Sequence, residues 1–422
     1  MVCCVLFKSS YSQSNFIFSS DKNHDKIKFE LVNNLIVVPV KLNGKKLFFL
    51  LDTGVRETII FNVAKVDSLQ LNKASIIKVK GVNNESLPCI KSEENTLNIG
   101  NLKSIDQVIY VAFNQTENLS AYLGTEIHGI LGYHFFKNFV VSVSYVRQTL
   151  KIFPKNTFKK KWKRYQQLPL VLKKGKPYID ANINNKTTHL LLDTGMSDSL
   201  WLFDDNNCEE YGFYEDSLGF TLSGRIEGKR SKIKEFKLKN SEFKDVKVAY
   251  PNQETLPLEL KNKTYRYGIV GGEILKRFTV VLDYSNKKMF IKTNQWANDS
   301  FYYNRAGISL RQDGDAVERN KNNPLLKELE SKNIISFVDL TYLLTPEFII
   351  DHVRKNSPAD KIGLQKEDVI IAVNGKKAYH YNLKTINALF YNEEQKKLKI
   401  TVQRGTLVLE KELYLKSPLV KK

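Results

Sequence analysis

One pattern of four parts occurs twice in this chain, and the repetition restricts the possible folds more than any other feature of the sequence. Each copy has an apolar segment, a tight turn that contains Asn, a second apolar segment and then Asp-Thr-Gly. The first copy covers residues 35–54 and the second covers residues 178–195. An Asn-Gly pair between two apolar runs, as at Asn43-Gly44, predicts a β-hairpin. We therefore expect two β-rich lobes, each with a hairpin that leads into a loop carrying one aspartate.

A second pattern follows each triplet at nearly the same distance. Residues 129–141 align with residues 268–280, because both begin with Gly-Ile, an apolar residue and Gly, and both continue into a further apolar segment. The offset between the copies is 141 residues at the triplets and 139 residues at this second pattern. A lone Asp-Thr-Gly would be a weak signal, whereas two patterns with nearly one offset indicate an internal duplication.

Composition allows large cores and restricts the classes of partner. Of the 422 residues, 42% are hydrophobic and 11% are aromatic, which is typical of globular rather than disordered chains. The formal net charge is +20, and a basic chain of this kind can bind nucleic acid. Here, however, the lysines are spread along the whole chain, and the only tight run is Lys159-Lys160-Lys161. We therefore interpret the charge as a solvated surface and expect no nucleic-acid partner.

The cysteines predict neither a zinc site nor a disulfide framework. The chain has four of them, at Cys3, Cys4, Cys89 and Cys208, and their spacings do not suit zinc ligands. Cys89 and Cys208 could pair in an oxidising compartment, and the sequence leaves that alternative open. We expect no bound metal and no other cofactor.

The N-terminal residues 1–25 are expected to form a leader. Residues 2–7 are apolar and are followed by Lys8 and a Ser-rich stretch. This pattern resembles either the end of a secretory signal whose beginning is missing or a short unstructured leader. The first alternative places the protein in the periplasm or cell envelope, and the second places it in the cytoplasm. No segment approaches the roughly 20 apolar residues that a membrane helix needs, so we expect no integral membrane segment.

The two triplets suggest a specific chemistry. Two loops related by a pseudo-two-fold axis would place the carboxylates of Asp52 and Asp193 face to face. Two negative charges so close together are unfavourable, so the pair is expected to hold one proton. The ionised carboxylate can then deprotonate a water molecule while the protonated one donates to a substrate carbonyl oxygen. Gly54 and Gly195 allow the tight loops, and Thr53 and Thr194 can form hydrogen bonds between the lobes.

Residues 28–292 resemble the aspartic peptidase superfamily, in which pepsin is a single two-lobed chain and retroviral proteases have compact lobes. The resemblance rests on Leu-Leu-Asp-Thr-Gly in both copies and on the apolar-apolar-Gly segments that end at Gly132 and Gly271. It implies a mostly β fold with two β-barrel lobes, at residues 26–155 and 156–295, that act on a peptide or protein substrate. Because one chain carries both triplets, we expect the catalytic unit to be a monomer.

The same resemblance implies roles for individual residues. It predicts catalysis by Asp52 and Asp193 and a β-hairpin flap that closes over the substrate. The residues expected to support the active site are Thr53, Gly54, Thr194 and Gly195, and those expected to form the flap are Gly81, Val82 and Asn83.

Residues 304–418 resemble bacterial PDZ domains, and the combination is similar to bacterial aspartyl protease family proteins. The matching residues are Ser357-Pro358-Ala359, Gly363-Leu364, Asp368 and Asn374-Gly375. The resemblance implies an α+β domain that binds peptide C-termini by adding them as a strand beside a sheet edge. The terminal carboxylate would then lie on backbone amides of Ala306, Gly307 and Ile308.

Two functions therefore compete. The first is an aspartic-type endopeptidase whose PDZ domain recruits or positions peptide C-termini. The alternative is a catalytically inactive peptide-binding scaffold that carries a PDZ domain. A decayed peptidase is expected to lose one of its triplets, and both triplets are intact here.

Overall fold

The computed structural model describes residues 15–19, 23–61, 69–80, 86–113, 118–204, 211–221, 224–256, 267–319 and 342–419. Residues 1–14 and 20–22 of the expected leader lie outside this range, so the cellular location stays a prediction. The fold is mostly β, as predicted. It divides into two compact units, one of residues 1–119, 125–302 and 419–422, and one of residues 120–124 and 303–418.

The first lobe contains twelve of the described strands. They are β1 (Ile17–Phe18), β2 (Asp25–Lys28), β3 (Glu30–Val32), β4 (Leu35–Leu42), β5 (Lys45–Leu51), β6 (Thr58–Ile60), β7 (Ser75–Lys80), β8 (Ser86–Ile99), β9 (Leu102–Ala112), β10 (Gly129–Leu131), β11 (Phe139–Ser144) and β12 (Thr149–Pro154). Two short helices, α1 (Leu119–Leu123) and α2 (Tyr133–Phe136), lie between β9 and β11.

Six of these strands close into a barrel in the order β4-β5-β10-β6-β9-β8, and β8 pairs back with β4. The pairs β5–β10 and β6–β9 are parallel, and the other pairs of the ring are antiparallel. Strand β7 pairs with the first part of β8 as an antiparallel hairpin. Because β5 and β10 run in the same direction, both strands end at the same rim of the barrel, where the first triplet begins.

The second lobe repeats this arrangement. Its strands are β13 (Gln166–Pro169), β14 (Val171–Lys173), β15 (Lys176–Ile183), β16 (Lys186–Leu192), β17 (Leu200–Leu202), β18 (Tyr214–Thr221), β19 (Gly224–Leu238), β20 (Ser241–Pro251), β21 (Gly268–Val270), β22 (Phe278–Asp283) and β23 (Lys288–Thr293). Helix α3 (Gly272–Leu275) follows β21, and a 3-10 helix at Lys160–Arg164 precedes β13. The barrel order is β15-β16-β21-β17-β20-β19, and β19 pairs back with β15.

The two lobes share a six-stranded sheet in the order β13-β23-β22-β11-β12-β2. Its central pair, β11 and β22, is antiparallel and comes from both lobes, with Ser142 opposite Val281. These two positions correspond under the 139-residue offset, so the pseudo-two-fold axis passes between them. Apolar side chains of both lobes, among them Val141 and Leu282, belong to one buried core.

The hairpin turns follow from local sequence, as predicted. Asn43 and Gly44 connect β4 and β5 and have φ values of +47° and +88°. Asn184 and Asn185 connect β15 and β16 with φ values of +47° and +67°. Positive φ at both central residues is what a two-residue hairpin turn requires, and Asn and Gly tolerate it best.

The C-terminal unit has its own sheet and core. Its strands are β24 (Ile308–Arg319), β25 (Tyr342–Val353), β26 (Val369–Val373), β27 (Lys376–Lys377), β28 (Lys397–Arg404) and β29 (Leu407–Tyr414), in the order β24-β25-β26-β28-β29 with β27 beside β26. Its helices are α4 (Pro358–Lys361), α5 (Leu383–Tyr391) and a 3-10 turn at Ala378–His380. Ser357 caps α4 through the amide of Asp360, and Asn382 and Thr385 form a capping box on α5.

Candidate active site

Asp52 and Asp193 follow directly after the equivalent strands β5 and β16. The backbone amide of Asp52 donates to the carbonyl oxygen of Leu131 at 3.0 Å, and that of Asp193 donates to Val270 at 3.0 Å. Leu131 and Val270 end the neighbouring parallel strands β10 and β21. Each aspartate is therefore held at the rim of its barrel by backbone hydrogen bonds.

Each glycine of the triplets lies against the carboxylate of the opposite lobe. A Cβ atom on Gly54 would lie closer than 3.0 Å to Oδ2 of Asp193, and one on Gly195 would lie closer than 3.0 Å to Oδ2 of Asp52. Each glycine amide also donates to Oδ1 of its own aspartate, at 2.7 Å in the first lobe and 2.8 Å in the second. The two carboxylates are thus brought together, and only residues without a Cβ fit beside them.

Thr53 and Thr194 exchange hydrogen bonds across the lobe interface. The amide of Thr53 donates to Oγ1 of Thr194 at 3.0 Å, and the amide of Thr194 donates to Oγ1 of Thr53 at 3.0 Å. The hydroxyl of Thr53 donates to the carbonyl oxygen of Leu192 at 2.6 Å, and that of Thr194 donates to Leu51 at 2.7 Å. Both threonines are buried, so these four hydrogen bonds hold the two loops together without competition from water.

Burial shifts the acid–base properties of both aspartates in the same direction. Burial raises the pKa of Asp52 well above its ordinary value, and the negative charge of Asp193 raises it further. Burial also raises the pKa of Asp193, while the hydrogen bond from the Gly195 amide and the positive charge of Lys176 act in the opposite direction. Two such carboxyl groups retain a proton at pH values where an isolated carboxyl group would be ionised.

Comparison with protein families agrees with this geometry. A family model described as aspartyl protease matches residues 38–135, and one described as PDZ domain matches residues 349–404. The chain contains an aspartyl protease domain and a C-terminal PDZ domain. No curated protein matches the chain. The matched protease residues include Asp52 but not Asp193, so the place of the second aspartate in the protease domain rests on the geometry above.

Both aspartate loops of the protease domain are anchored by the short helices that follow β10 and β21. The amide of Tyr133 donates to the carbonyl oxygen of Val55 at 2.9 Å, and that of Gly272 donates to Met196 at 2.7 Å. Pepsin-like sequences carry a hydroxyl residue at the positions of Val55 and Met196. Here both side chains are apolar and buried, so neither can donate a hydrogen bond to the dyad.

Different polar pairs lie behind the two loops, and the sequence analysis did not find them. In the first lobe, Nε2 of His134 lies 3.1 Å from Oε2 of Glu57. The offset places Asp198 at the position of Glu57 in the second lobe, where Arg230 Nη1 contacts its Oδ2 at 3.0 Å. Burial alone would raise the pKa of Asp198, but the charges of Arg230 and Lys247 outweigh burial and lower it. An alignment of the two lobes would have drawn attention to these positions.

The hairpin turns before β4 and β15 each reach the opposite lobe. Nδ2 of Asn34 donates to the carbonyl oxygen of Ser197 at 2.9 Å, and the carbonyl of Asn34 lies against Gly272. The equivalent turn of the second lobe places Gly175 against the ring of Tyr133. In the first contact the larger residue, Asn34, is in the turn and the glycine is in the opposite lobe. In the second contact the glycine is in the turn and the larger residue, Tyr133, is in the opposite lobe.

The residues predicted to form the flap, Gly81, Val82 and Asn83, lie outside the described residues. On either side of them, β7 and β8 pair antiparallel as far as Lys80 opposite Ser86. In the second lobe, β18 and β19 form an equivalent hairpin that is paired as far as Thr221 opposite Gly224. The flap role stays a prediction.

The three residues predicted to bind a terminal carboxylate lie immediately before β24 and at its start. Gly307 has a φ of +81°, and a Cβ there would collide with Ser357. Its amide donates to Oδ1 of Asn304 at 2.8 Å. Ala306 and Ile308 are buried in the core of the PDZ unit. Their binding role stays a prediction.

Neither a metal-ligand cluster nor a membrane-spanning helix occurs among the described residues. Across the described ranges, no three His, Cys, Asp or Glu side chains are grouped so that they could hold a metal ion. The helices of the same ranges are all too short or too polar to cross a bilayer.

Burial raises the pKa of the Cys89 thiol to about 11, and Cys208 lies outside the described residues, so their pairing stays open.

Proposed function

We propose that this protein is an aspartic-type endopeptidase in which Asp52 and Asp193 activate one water molecule between them. The single observation that carries the proposal is the pair of buried carboxylates, one from each lobe of the same chain, with both pKa values raised. Burial beside a second carboxyl group favours the singly protonated pair, which is the form that general acid–base hydrolysis requires.

The reaction follows from that protonation state. The ionised carboxylate removes a proton from water as the water oxygen attacks the carbonyl carbon of the substrate, and the protonated carboxyl donates its proton to the carbonyl oxygen. The tetrahedral intermediate then breaks down. The carboxyl that took a proton from water gives it to the leaving nitrogen, and the other carboxylate takes back the proton that it had given to the carbonyl oxygen. The C–N bond breaks and the dyad regains its single proton.

The paired hairpins of the two lobes support cleavage within a chain. Each lobe carries a long antiparallel hairpin, β7–β8 in the first lobe and β18–β19 in the second. Two equivalent hairpins could contact an extended substrate from both lobes. This arrangement suits an endopeptidase better than an enzyme that removes terminal residues.

The PDZ domain is proposed to recruit or position a peptide for the protease domain. Among the described strands, β24 forms the edge of the sheet and pairs with β25 alone. A PDZ domain binds a peptide by adding it as a further strand to such an edge.

Inhibitor classes test the enzymatic proposal against the scaffold alternative. We expect peptide analogues that carry a hydroxyl group in place of the scissile carbonyl to inhibit cleavage, because they resemble the tetrahedral intermediate. Reagents that react with nucleophilic serines are expected to have no effect. Cleavage that is insensitive to the hydroxyl analogues but stopped by a serine reagent would refute the proposed chemistry.

The threonine hydroxyls should contribute to stability as well as activity. Changing Thr194 to Val removes the acceptor for the buried Thr53 amide, which costs about 1–3 kcal/mol for the unpaired group. We expect a lower unfolding temperature and slower peptide cleavage. Thr194→Ser keeps the hydroxyl and is the matched control, so it should behave much more like the wild type. Equal stability of the Val and Ser variants would show that the hydrogen bonds contribute little.

The pH profile should depend on Lys176, which begins β15. Its positive charge lowers the pKa of Asp193, and activity rises as pH increases through the lower macroscopic pKa of the pair. Lys176→Gln removes that charge, so the acidic limb of kcat/KM is expected to move to higher pH. Lys186→Gln, at the far end of the same hairpin, is the control. An unmoved limb in Lys176→Gln would show that this charge does not influence the dyad.

A further inference from the structure

The loop before β24 already contains a partner for the backbone amide that a terminal carboxylate would need. Oδ1 of Asn304 accepts from the amide of Gly307 at 2.8 Å, and Nδ2 of Asn304 donates to the carbonyl oxygen of Ile308 at 2.7 Å. The oxygen of a side-chain amide thus sits where an oxygen of a bound carboxylate would accept a hydrogen bond.

Other groups of this loop also form internal hydrogen bonds. The amide of Arg305 donates to the carbonyl oxygen of Phe390 at 2.8 Å, and the amide of Ala359 donates to that of Ala306 at 3.1 Å. The guanidinium of Arg354 is buried and donates to the carbonyl oxygen of Asn304 from both terminal nitrogens at 3.2 Å. The buried Arg354 therefore also holds the loop in place.

Apolar side chains of β24 and α5 are almost completely buried. Ile308 and Leu310 of β24 are 1% and 3% exposed, and Ile386 and Phe390 of α5 are both 0% exposed. All four belong to the core of the PDZ unit. Recognition of an apolar C-terminus requires both a carboxylate site and a pocket, and here the Gly307 amide and these four side chains already have partners within the domain.

We propose that Asn304 sets the specificity of the PDZ domain, so that it binds internal extended segments of a protein chain and does not require a free C-terminus. Asn304 replaces the terminal carboxylate as the partner of Gly307, and the ligand contributes backbone hydrogen bonds along β24 instead. This inference extends the proposed function and rests on it. An endopeptidase creates a new C-terminus at every cut, and a domain indifferent to C-termini does not bind the products selectively through these new ends.

The test compares two arrays of identical decapeptides, one with free C-terminal carboxyl groups and one with C-terminal amides. The full chain is applied with its active site saturated by a hydroxyl-bearing peptide analogue, so that the array reports on the PDZ domain. We expect the same peptides to be retained on both arrays with affinities within roughly twofold. Asn304→Gly frees the Gly307 amide and should produce a preference for free carboxyl groups of about tenfold. Asn304→Asp keeps an acceptor and should show no such preference.

Two outcomes would overturn the inference. One is a preference of the wild type for free carboxyl groups of about tenfold or more, and the other is retention of no peptide on either array. If Asn304→Gly fails to fold, the two arrays still show whether the wild type and Asn304→Asp prefer peptides with free carboxyl groups. Cleavage assays are separate from this readout, so an inactive protease domain and a PDZ domain specific for C-termini are distinguishable failures.

Discussion

Peptide cleavage is expected to fall by at least about 1000-fold when Asp193 is replaced by Asn. An amide side chain cannot be ionised, so it can neither take the proton from water nor return one to the leaving nitrogen. Asp52→Asn should lose as much, because each aspartate supplies one half of a shared-proton pair. The double variant should be no worse than either single variant, since groups that act as a unit are not additive.

These variants require evidence that the fold survives. Single-turnover rates and unfolding temperatures should be measured together, with Asp180→Asn as the matched control. Asp180 lies on β15 of the same lobe, and its exposed carboxylate pairs with His189 at 2.7 Å, outside the dyad. Its substitution should leave cleavage unchanged. A rate near that of the wild type in Asp52→Asn or Asp193→Asn would rule out the dyad.

A single methyl group added at Gly195 should be nearly as damaging, and for Gly195→Ala we expect a loss of about 100-fold or more in kcat. The added Cβ would lie within 3.0 Å of the Asp52 carboxylate, so either the carboxylate or the loop must move. Displacing one carboxylate disturbs the geometry on which proton transfer depends. Stopped-flow cleavage of a fluorogenic peptide measures this loss.

Gly44→Ala is the matched control for the Gly195 variant. Gly44 has a φ of +88°, and a Cβ there would meet no atom within 4 Å. The substitution should cost about 1 kcal/mol of stability through backbone strain, while the folded molecules keep their cleavage rate. If Gly195→Ala cleaves as fast as Gly44→Ala, the close packing of glycine and carboxylate is unimportant for the reaction.

Local patterns were sufficient to predict much of the protease domain. Alternating apolar runs, the turns at Asn43-Gly44 and Asn184-Asn185 and the two triplets each depend on residues that are close in sequence. The backbone rules that govern hairpins are local. Such features can therefore be predicted from the sequence alone. The two-lobed arrangement followed because the same local pattern occurred twice.

Contacts between distant residues could not be predicted in this way. Glu57 and Asp198 lie in the loops before β6 and β17, and they pair with His134 of α2 and Arg230 of β19, which are distant in sequence. The influence of Lys176 on Asp193 depends on how the second hairpin approaches the dyad. No spacing in the sequence specifies these distances, because they are set by the closure of the barrels.

In the PDZ unit the helix caps depend on residues close in sequence, whereas the binding loop depends on contacts between distant residues. Ser357 caps α4 and Asn382 caps α5, each through a backbone amide three residues further along the chain. The side chain of Asn304, by contrast, adopts its position for two reasons. Gly307 has a positive φ, and Arg354 donates to the backbone carbonyl oxygen of Asn304. That combination is a tertiary feature, so the position of Asn304 could not be predicted from the sequence, and the carboxylate site stays a prediction.

The contacts between the lobes also explain why one chain should suffice for one active site. Asn34 fits against Gly272, and Gly175 fits against Tyr133. Two copies of the first lobe would instead bring Asn34 against Tyr133, and two copies of the second would bring Gly175 against Gly272. Unlike lobes are therefore the better match, and the monomeric catalytic unit stays a prediction.

The most direct test of the account is cleavage of a random peptide library by the purified chain, followed by mass spectrometry of the products. Wild type and Asp52→Asn should be compared at equal concentration from about pH 3 to about pH 8, a range chosen to cover both limbs of the dyad. We predict new termini at internal peptide bonds with the wild type and none with Asp52→Asn. The same products from both proteins, or no products from the wild type at any pH, would contradict the assignment of Asp52 and Asp193 as a catalytic pair.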